Sequence, residues 1–297
     1  MKKILIIGGR KIDETSRESS QSYLDFFTKA APNVTVEYVD FDDLVVTVAP
    51  DEFTVYNHRH ESSFESYDAI YFRGRIRRDA DLAYCISRFC AVKKIPFAND
   101  YSGYRSPSKL SQAIRFYELG VPFLKTIYSL DGALLLKASE AALEYPFIIK
   151  DSYGTQGEDN FLVRDQRSAA RAVHDNADIR FIAQEFFPNN CDYRVLCVGN
   201  DQLIIRRSAS DGSHLNNTSQ GAAATLVVVD DFPAAIIEQA HLVAKSLGMT
   251  IAGIDVLYND KSSAFAFLEV NSQPQLYSGA FVEEKNALVG RYLAGLL

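Results

Sequence analysis

The sequence contains no tryptophan, no long apolar run and no excess of basic residues, and its few cysteines and histidines are scattered. The missing tryptophan bears on no function, but the other absences exclude whole classes. No stretch approaches the roughly 18 apolar residues that a membrane helix needs. Met1-Lys2-Lys3 leads into only Ile4 to Ile7 before Gly8-Gly9, far short of an apolar secretion segment. Cys85, Cys90, Cys191 and Cys197 show no C-x-x-C spacing and no neighbouring histidine cluster, so no zinc site is expected. Scattered thiols in a chain without an export signal read as reduced, which sets the expectation of a cytoplasmic protein. The histidines (His58, His60, His174, His214 and His241) have no ligand spacing. A formal charge of −7 argues against a dedicated nucleic-acid binder, which carries a basic excess. Arg73, Arg75, Arg77 and Arg78 form one local exception. Such a cluster serves equally as an anchor for an acidic substrate near a cleft or as a solvated loop.

What is present is the make-up of a globular chain: 297 residues, 47% apolar and 23% charged, enough for a real core and about two domains. Residues 3–7 form a continuous apolar run ending in two glycines, as expected for a strand covered on both faces. A helix over about 18–30, strands at 34–39 and 69–72, a helix over 82–92 and a short strand at 95–98 follow. Strands alternating with helices imply a parallel sheet with right-handed crossovers, and hence a small α/β domain over residues 1–100. Beyond it, helices are predicted over 109–119, 134–143 and 167–176, and strands over 123–128, 147–150, 161–163 and 181–184. The segments 193–198 and 203–207 flank the turn Gly199-Asn200-Asp201 as a β-hairpin. A strand at 225–229, a helix over 233–247 stopped by Gly248, strands at 251–258 and 264–270, and a last helix complete the pattern.

The final strand pair carries the most chemistry. Glu269 and Asn271 are two apart, so in a strand they share a face. Asp255 and Glu269 each lie seven residues from position 262, so a symmetric hairpin sets them opposite each other. Two carboxylates facing across a sheet repel, and a cation between them removes that penalty. Two carboxylates and an amide oxygen are hard ligands that suit magnesium. The same spacing is also satisfied by two solvent-facing acids, and geometry alone does not decide. A second element is Lys150 at the end of an apolar strand, followed by a loop with Gly154 and Gly157. Glycines let backbone N–H groups approach phosphate oxygens, and the lysine adds a point charge. A glycine-containing hairpin tip is common, and the G-x-x-x-x-G-K-[ST] order of a P-loop is absent.

In order along the chain, Tyr145-Pro146-Phe147-Ile148-Ile149-Lys150, Gly154-Thr155-Gln156-Gly157, Gln184-Glu185-Phe186-Phe187, Asp192-Tyr193-Arg194-Val195, Gly253-Ile254-Asp255-Val256 and Leu268-Glu269-Val270-Asn271-Ser272 resemble the ATP-grasp superfamily, and within it RimK-like carboxylate–amine ligases. The resemblance covers roughly residues 95–280. It implies a fold of mixed α/β and α+β class, in which two lobes clamp ATP. These are a central lobe over 101–184 with the phosphate loop and a C-terminal lobe over 185–297 with the magnesium site, behind the N-terminal domain. It further implies that Lys109 and Lys150 contact ATP phosphates, that Gly154, Thr155, Gln156 and Gly157 close over them, and that Gln184, Glu185, Phe186 and Phe187 form the hinge whose backbone reads adenine. Asp192 would lie near the ribose, Arg207 would neutralise the transferred phosphoryl group, and Asp255, Glu269 and Asn271 would hold Mg2+, with Mn2+ as a substitute. Asn216 matches a substrate-side asparagine, and Arg73 and Arg75 are candidates for an acidic substrate.

The implied chemistry is a carboxylate activated as an acylphosphate and captured by an amine, the substrates being an amino acid, a peptide or a protein terminus; the alternatives are a ligase that ties side chains of a precursor peptide into macrocycles and a catalytically silent nucleotide-binding regulator. Little covalent work falls to the protein, in keeping with the lack of a Ser/His/Asp or Cys/His set. Three departures from the pattern bear on nucleotide contacts, which acids beside the phosphate loop would weaken, and more on substrate identity. Glu158 and Asp159 follow the phosphate loop, Thr218, Ser219 and Gln220 stand where RimK-like ligases have a basic residue, and Pro274 is followed by Gln275 instead of glycine.

Overall fold

The structure, a computed structural model, describes residues 2–8, 14–73, 79–103, 108–154, 159–188, 191–208, 223–259 and 261–296. It begins with β1 (Lys3–Ile7), α1 (Glu14–Ala30), β2 (Thr35–Val39), β3 (Leu44–Ala49), β4 (Glu52–Asn57), β5 (Ser62–Ser63), β6 (Ala69–Phe72), α2 (Ala80–Lys93) and β7 (Phe97–Ala98). The order β2-β1-β6-β7 is a parallel sheet, as the alternating pattern predicts. Strand β1 is apolar and buried from Ile4 to Ile7 because both faces are covered. Ile4 and Ile6 pack towards α1, whereas Leu5 and Ile7 pack towards α2. Alternation along a strand requires that division.

The antiparallel sheet β3-β4-β5 fills a region, residues 40–68, for which the sequence reading above proposes no element. Val45-Val46-Thr47-Val48 is a β-branched run of the kind that favours a pleated surface, and Val55 and Phe64 anchor the sheet beneath Phe89 of α2.

The chain continues through α3 (Lys109–Leu119), β8 (Thr126–Tyr128), α4 (Gly132–Ala142), β9 (Phe147–Asp151), β10 (Asn160–Val163), α5 (Gln166–His174) and β11 (Phe181–Glu185). Helix α3 starts where Ser108 accepts a hydrogen bond from the Ser111 amide and stops at Gly120, whose φ of +66° suits the left-handed cap. The strands form the antiparallel sheet β10-β9-β11-β8, covered by α4 and α5 over a core of its own that includes Leu135, Phe147, Ile149 and Phe181.

The last section comprises β12 (Asp192–Val198), β13 (Asp201–Ser208), β14 (Ala223–Val227), α6 (Ala234–Ser246), β15 (Ile251–Asn259), β16 (Ala264–Asn271) and α7 (Val282–Leu296). Its antiparallel sheet runs β14-β13-β12-β15-β16, so β16 is an edge strand. The chain therefore leaves one sheet after Glu185 and enters the next at Asp192. Helix α7 returns to the start of the molecule. Asn286 Nδ2 donates to the Phe26 carbonyl at 2.7 Å, and Gly290 lies so close to the Ala30 carbonyl that a Cβ there would come within 2.5 Å of it. One core cluster accordingly holds residues of both the first sheet and the last, among them Leu5, Phe72, Val195 and Ile254. Among the described residues, no helix is long and apolar enough to cross a membrane.

Candidate functional site

The antiparallel pairing of the last sheet gathers charge on one face. Asp192 lies opposite Arg207, Arg194 opposite Asp255, and Asp255 opposite Glu269. Arg194 donates from Nε and Nη2 to the two carboxylate oxygens of Asp255 at 2.8 and 2.9 Å. Arg207 reaches Asp255 Oδ2 with Nη2 at 3.1 Å and donates from Nε to Asp192 Oδ1 at 2.6 Å. Asp192, Arg207 and Asp255 are all buried. Burial pushes the Asp255 carboxyl upwards, but the Arg194 and Arg207 guanidiniums outweigh it and hold the group well below the usual range. Burial and the neighbouring Asp255 charge raise Asp192 despite its arginine. Arg194 belongs to the Asp192-Tyr193-Arg194 motif, for which the family resemblance implies no role at this position. Its signal in the sequence is the two-residue spacing from Asp192, which puts both on one face of β12. Gly253 makes room for it: a Cβ there would stand 3.3 Å from Arg194 Cδ and Nε and 3.3 Å from Pro274 Cβ.

The other sheet contributes cations. Lys150 stands on β9, buried, and burial followed by the repulsion of Lys109 lowers it to about 8 against the opposing pull of Glu269 and Asp255. Lys150 of one sheet is thus near enough to the carboxylates of the other to feel their charge. Lys109 donates from Nζ to the Gly154 carbonyl at 2.5 Å, and its amide donates to the Ser152 carbonyl at 2.8 Å. Gly154 itself sits against Asp151, where a Cβ would come within 2.9 Å. Counted over these residues, four cations (Lys109, Lys150, Arg194, Arg207) meet three carboxylates (Asp192, Asp255, Glu269). A polyanion with a divalent ion suits such a site better than a cation alone.

At the end of β11, Gln184 is buried and donates to Thr126 Oγ1 at 2.9 Å. Glu185 closes β11 by accepting the Lys125 amide at 2.8 Å and donating its own amide to the Lys125 carbonyl at 3.1 Å. Phe186 and Phe187 have left the sheet, and Phe187 packs beside Leu124, Leu257 and Leu268. Arg73 packs on an aromatic ring of α1. Its guanidinium carbon is 3.7 Å from the centroid of the Tyr23 ring, and Tyr23 in turn meets Tyr277 edge-on at 4.3 Å. Tyr277 belongs to the loop that follows β16, so Arg73 flanks that loop. The buried Lys285 of α7 fastens the same loop, donating to the carbonyls of Gln275 and Ser278 at 2.8 Å each. Thr155, Gln156, Gly157, Arg75 and Asn216 lie outside the described residues.

The donor set fits magnesium by chemistry. Asp255 and Glu269 face each other across β15 and β16, and Asn271 lies two residues along from Glu269 with Oδ1 accepting the Gln273 amide at 3.0 Å. Asp255 Oδ1 accepts one hydrogen bond here, which leaves it a second acceptor position. Among the described residues no three His, Cys, Asp or Glu side chains gather as a metal cluster, and the expected set has only two acids plus an amide. The repulsion between the paired acids is relieved in this structure by the two arginines on Asp255, a device that the sequence reading did not include.

The two-lobed architecture defines an ATP-grasp ligase fold. Over the whole chain it superposes on the ATP-grasp ligase PsnB complexed with a phosphomimetic variant of its minimal precursor, Mg and ADP, with a TM-score of 0.71, 12% identity and 99% of that chain covered. The D-Ala:D-Ser ligase VanG of Enterococcus faecalis superposes with a TM-score of 0.72 at 16% identity, again over the whole chain and 99% of the ligase. Within that fold the chain belongs to the RimK-like ATP-grasp family, whose domain matches residues 133–285, just over half of it. A relative named "Probable alpha-L-glutamate ligase" from Cellvibrio japonicus is 26% identical over 216 residues, 70% of this chain and 65% of the relative. The chain thus spans less than two thirds of the length of that relative.

Proposed function

We propose that this ligase uses ATP and magnesium to activate a carboxylate as an acylphosphate and to join it to an amine, releasing ADP and phosphate. The observation that carries this reading is the charged face of the last sheet, where Asp255 lies opposite Glu269 and is held by Arg194 and Arg207, with the Lys150 charge felt from the neighbouring sheet. Lys109 and Lys150 would bind the triphosphate, with residues 154–157 folding over it, and the backbone at Gln184, Glu185, Phe186 and Phe187 would read the adenine. Asp192 would act through Arg207 more than on the ribose, since its carboxylate is already engaged. Asp255, Glu269 and Asn271 would hold Mg2+, or Mn2+ in its place, and the ion would screen phosphate charge.

In the first step a carboxylate oxygen attacks the γ-phosphorus and the bond to the β-phosphate oxygen breaks, giving ADP. Arg207, with its guanidinium pre-aimed by Asp192, and Lys150 neutralise the charge spread over the transferred oxygens. In the second step a neutral amine attacks the acyl carbon, the bond from that carbon to the phosphate oxygen breaks, and the proton shed by nitrogen leaves with the departing phosphate. Arg73 and Arg75 would take the acidic end of a substrate and Asn216 would face the same side. A cytoplasmic setting accords with the free thiols of Cys85, Cys90, Cys191 and Cys197.

The substrate is an amino acid in the reading that follows the glutamate ligase relatives. A peptide is the second reading. It is favoured by the end-to-end superposition on a ligase that takes a precursor, against partial coverage of the glutamate ligases. Phosphate release from ATP and magnesium, measured over panels of amino acids and short peptides, tests the activity. Product masses then separate the two: a gain of a glutamate residue marks the first, and loss of water from a co-produced peptide marks the second. Phosphate release that stays at background across both panels would remove the ligase reading.

A further inference from the structure

Strand β16 carries two of the three expected magnesium ligands, yet it is an edge strand with one row of backbone groups turned away from its partner. A buried edge of that kind requires partners for its N–H and C=O groups. At Val270, between Glu269 and Asn271, the partner is a side chain. Gln112 of α3 accepts the Val270 amide on Oε1 at 2.7 Å and donates from Nε2 to the Val270 carbonyl at 3.2 Å. The carboxamide therefore pairs with β16 as one residue of an added strand would, and Gln112 is buried. Further along, the Phe267 amide donates to the Pro122 carbonyl at 2.9 Å, so the edge is closed at two points.

The same helix holds the other half of the site. One turn before Gln112, Lys109 is tied by its amide to Ser152 and by its ammonium to Gly154. The Gln112 amide closes that first turn on the Ser108 carbonyl at 3.1 Å. The spacing of three residues puts Lys109 and Gln112 on one side of α3. A single rigid turn thus spans from the phosphate-loop strand to the strand bearing Glu269 and Asn271.

We infer that Gln112 is a positioning residue for the metal-binding strand: its carboxamide fixes the Val270 peptide so that Glu269 and Asn271 face the nucleotide held by Lys109 and Lys150. This rests on the ligase reading above. Glycine, alanine or an apolar residue at 112 would leave both Val270 groups buried without partners, and the strand end would shift to find water.

The test compares the wild type with Gln112→Met, which matches the length of glutamine and lacks its donors and acceptors. ADP binding is measured by calorimetry as magnesium chloride is raised, and exchange of the Val270 amide is followed by mass spectrometry. The expected result is a half-saturating magnesium concentration about 10- to 100-fold higher, the range for losing a group that orients a ligand, with faster exchange at Val270. Loss of kcat by about 100-fold should accompany it, as misplacement of this size implies. Leu135→Ala, in the separate core of the other sheet, should lower the melting temperature without moving the magnesium requirement. Gln112→Asn keeps the amide one methylene short and gives the same direction if the methionine variant does not fold. An unchanged magnesium requirement in either Gln112 variant, with ADP bound normally by the wild type, overturns the role of Gln112 alone. Wild type that binds ADP identically with and without magnesium overturns the ligase reading and this inference together.

Discussion

Asp255 faces Glu269 because strand β16 skips a residue. Counting from the turn, Asn259 pairs with Ala264 and Val256 with Phe267, so regular pairing would set Leu268 against Asp255. A bulge passes over Leu268, which packs near Leu124 and Leu257 instead, and brings Glu269 into register. Bulges re-aim side chains in this way beside functional sites.

The first prediction concerns that pair. Asp255→Asn and Glu269→Gln should each lower the rate of ATP-dependent phosphate release by about 100-fold or more, the scale of losing one preorganised electrostatic group. They should differ in stability. Asn at 255 leaves Arg194 and Arg207 short of a buried countercharge and lowers the melting temperature, while Gln at the half-exposed position 269 holds it near the wild type.

A second prediction follows from Lys150, which titrates at about 8 in the free protein. Bound triphosphate favours its charged form. Between about pH 8 and 9, nucleotide binding should therefore take up a proton, and affinity should weaken as pH rises through that range. Calorimetry in two buffers of different ionisation enthalpy measures the uptake. Lys150→Met should abolish the uptake and weaken binding at pH 7.

Arg207 supports a third. Removing it in Arg207→Met strands the buried Asp192 carboxylate, at a cost of about 3–5 kcal/mol by analogy with broken buried pairs. The folded state then holds a proton on Asp192 at pH values where the unfolded chain has lost it. Stability of the variant must fall as pH rises from about 4 towards neutrality. Urea midpoints at pH 5 and pH 7 should show the larger deficit at pH 7.

Gly253 offers a fourth test with no charge altered. A methyl group there crowds Arg194 and Pro274 at 3.3 Å, so Gly253→Ala should loosen the Arg194–Asp255 contact. A fall of about 10-fold in kcat, the size expected when a group near the chemistry moves by part of an ångström, with intact cooperative unfolding, is the expected outcome.

Much of this was legible beforehand because the signals were local. Helix α3 was expected over the residues that it occupies, since Gly120 marks its end, and the opposition of Asp255 and Glu269 followed from counting residues. The correct opposition concealed a compensation, however, because the four-residue turn and the bulge each shift the register by one. The β3-β4-β5 sheet went unassigned although residues 45–48 are β-branched, because no strict alternation marks a half-buried strand there. Arg194 and Gln112 were missed for a different reason. Their roles depend on partners 61 and 158 positions away, and no pattern along the chain announces a side chain that bonds to a distant backbone.

The uneven division of the interior has a mechanical consequence. Residues of the first and last sheets are packed into common cores and tied by α7, whereas the sheet bearing Lys150 keeps its own apolar filling. A swing of that sheet against the rest would act on both of its connections, the one that enters between Leu119 and Thr126 and the one that leaves after Glu185, with the small sheet as the travelling jaw. Lys150 would ride on that jaw while Arg207, Asp255 and the N-terminal arginine remain on the anvil.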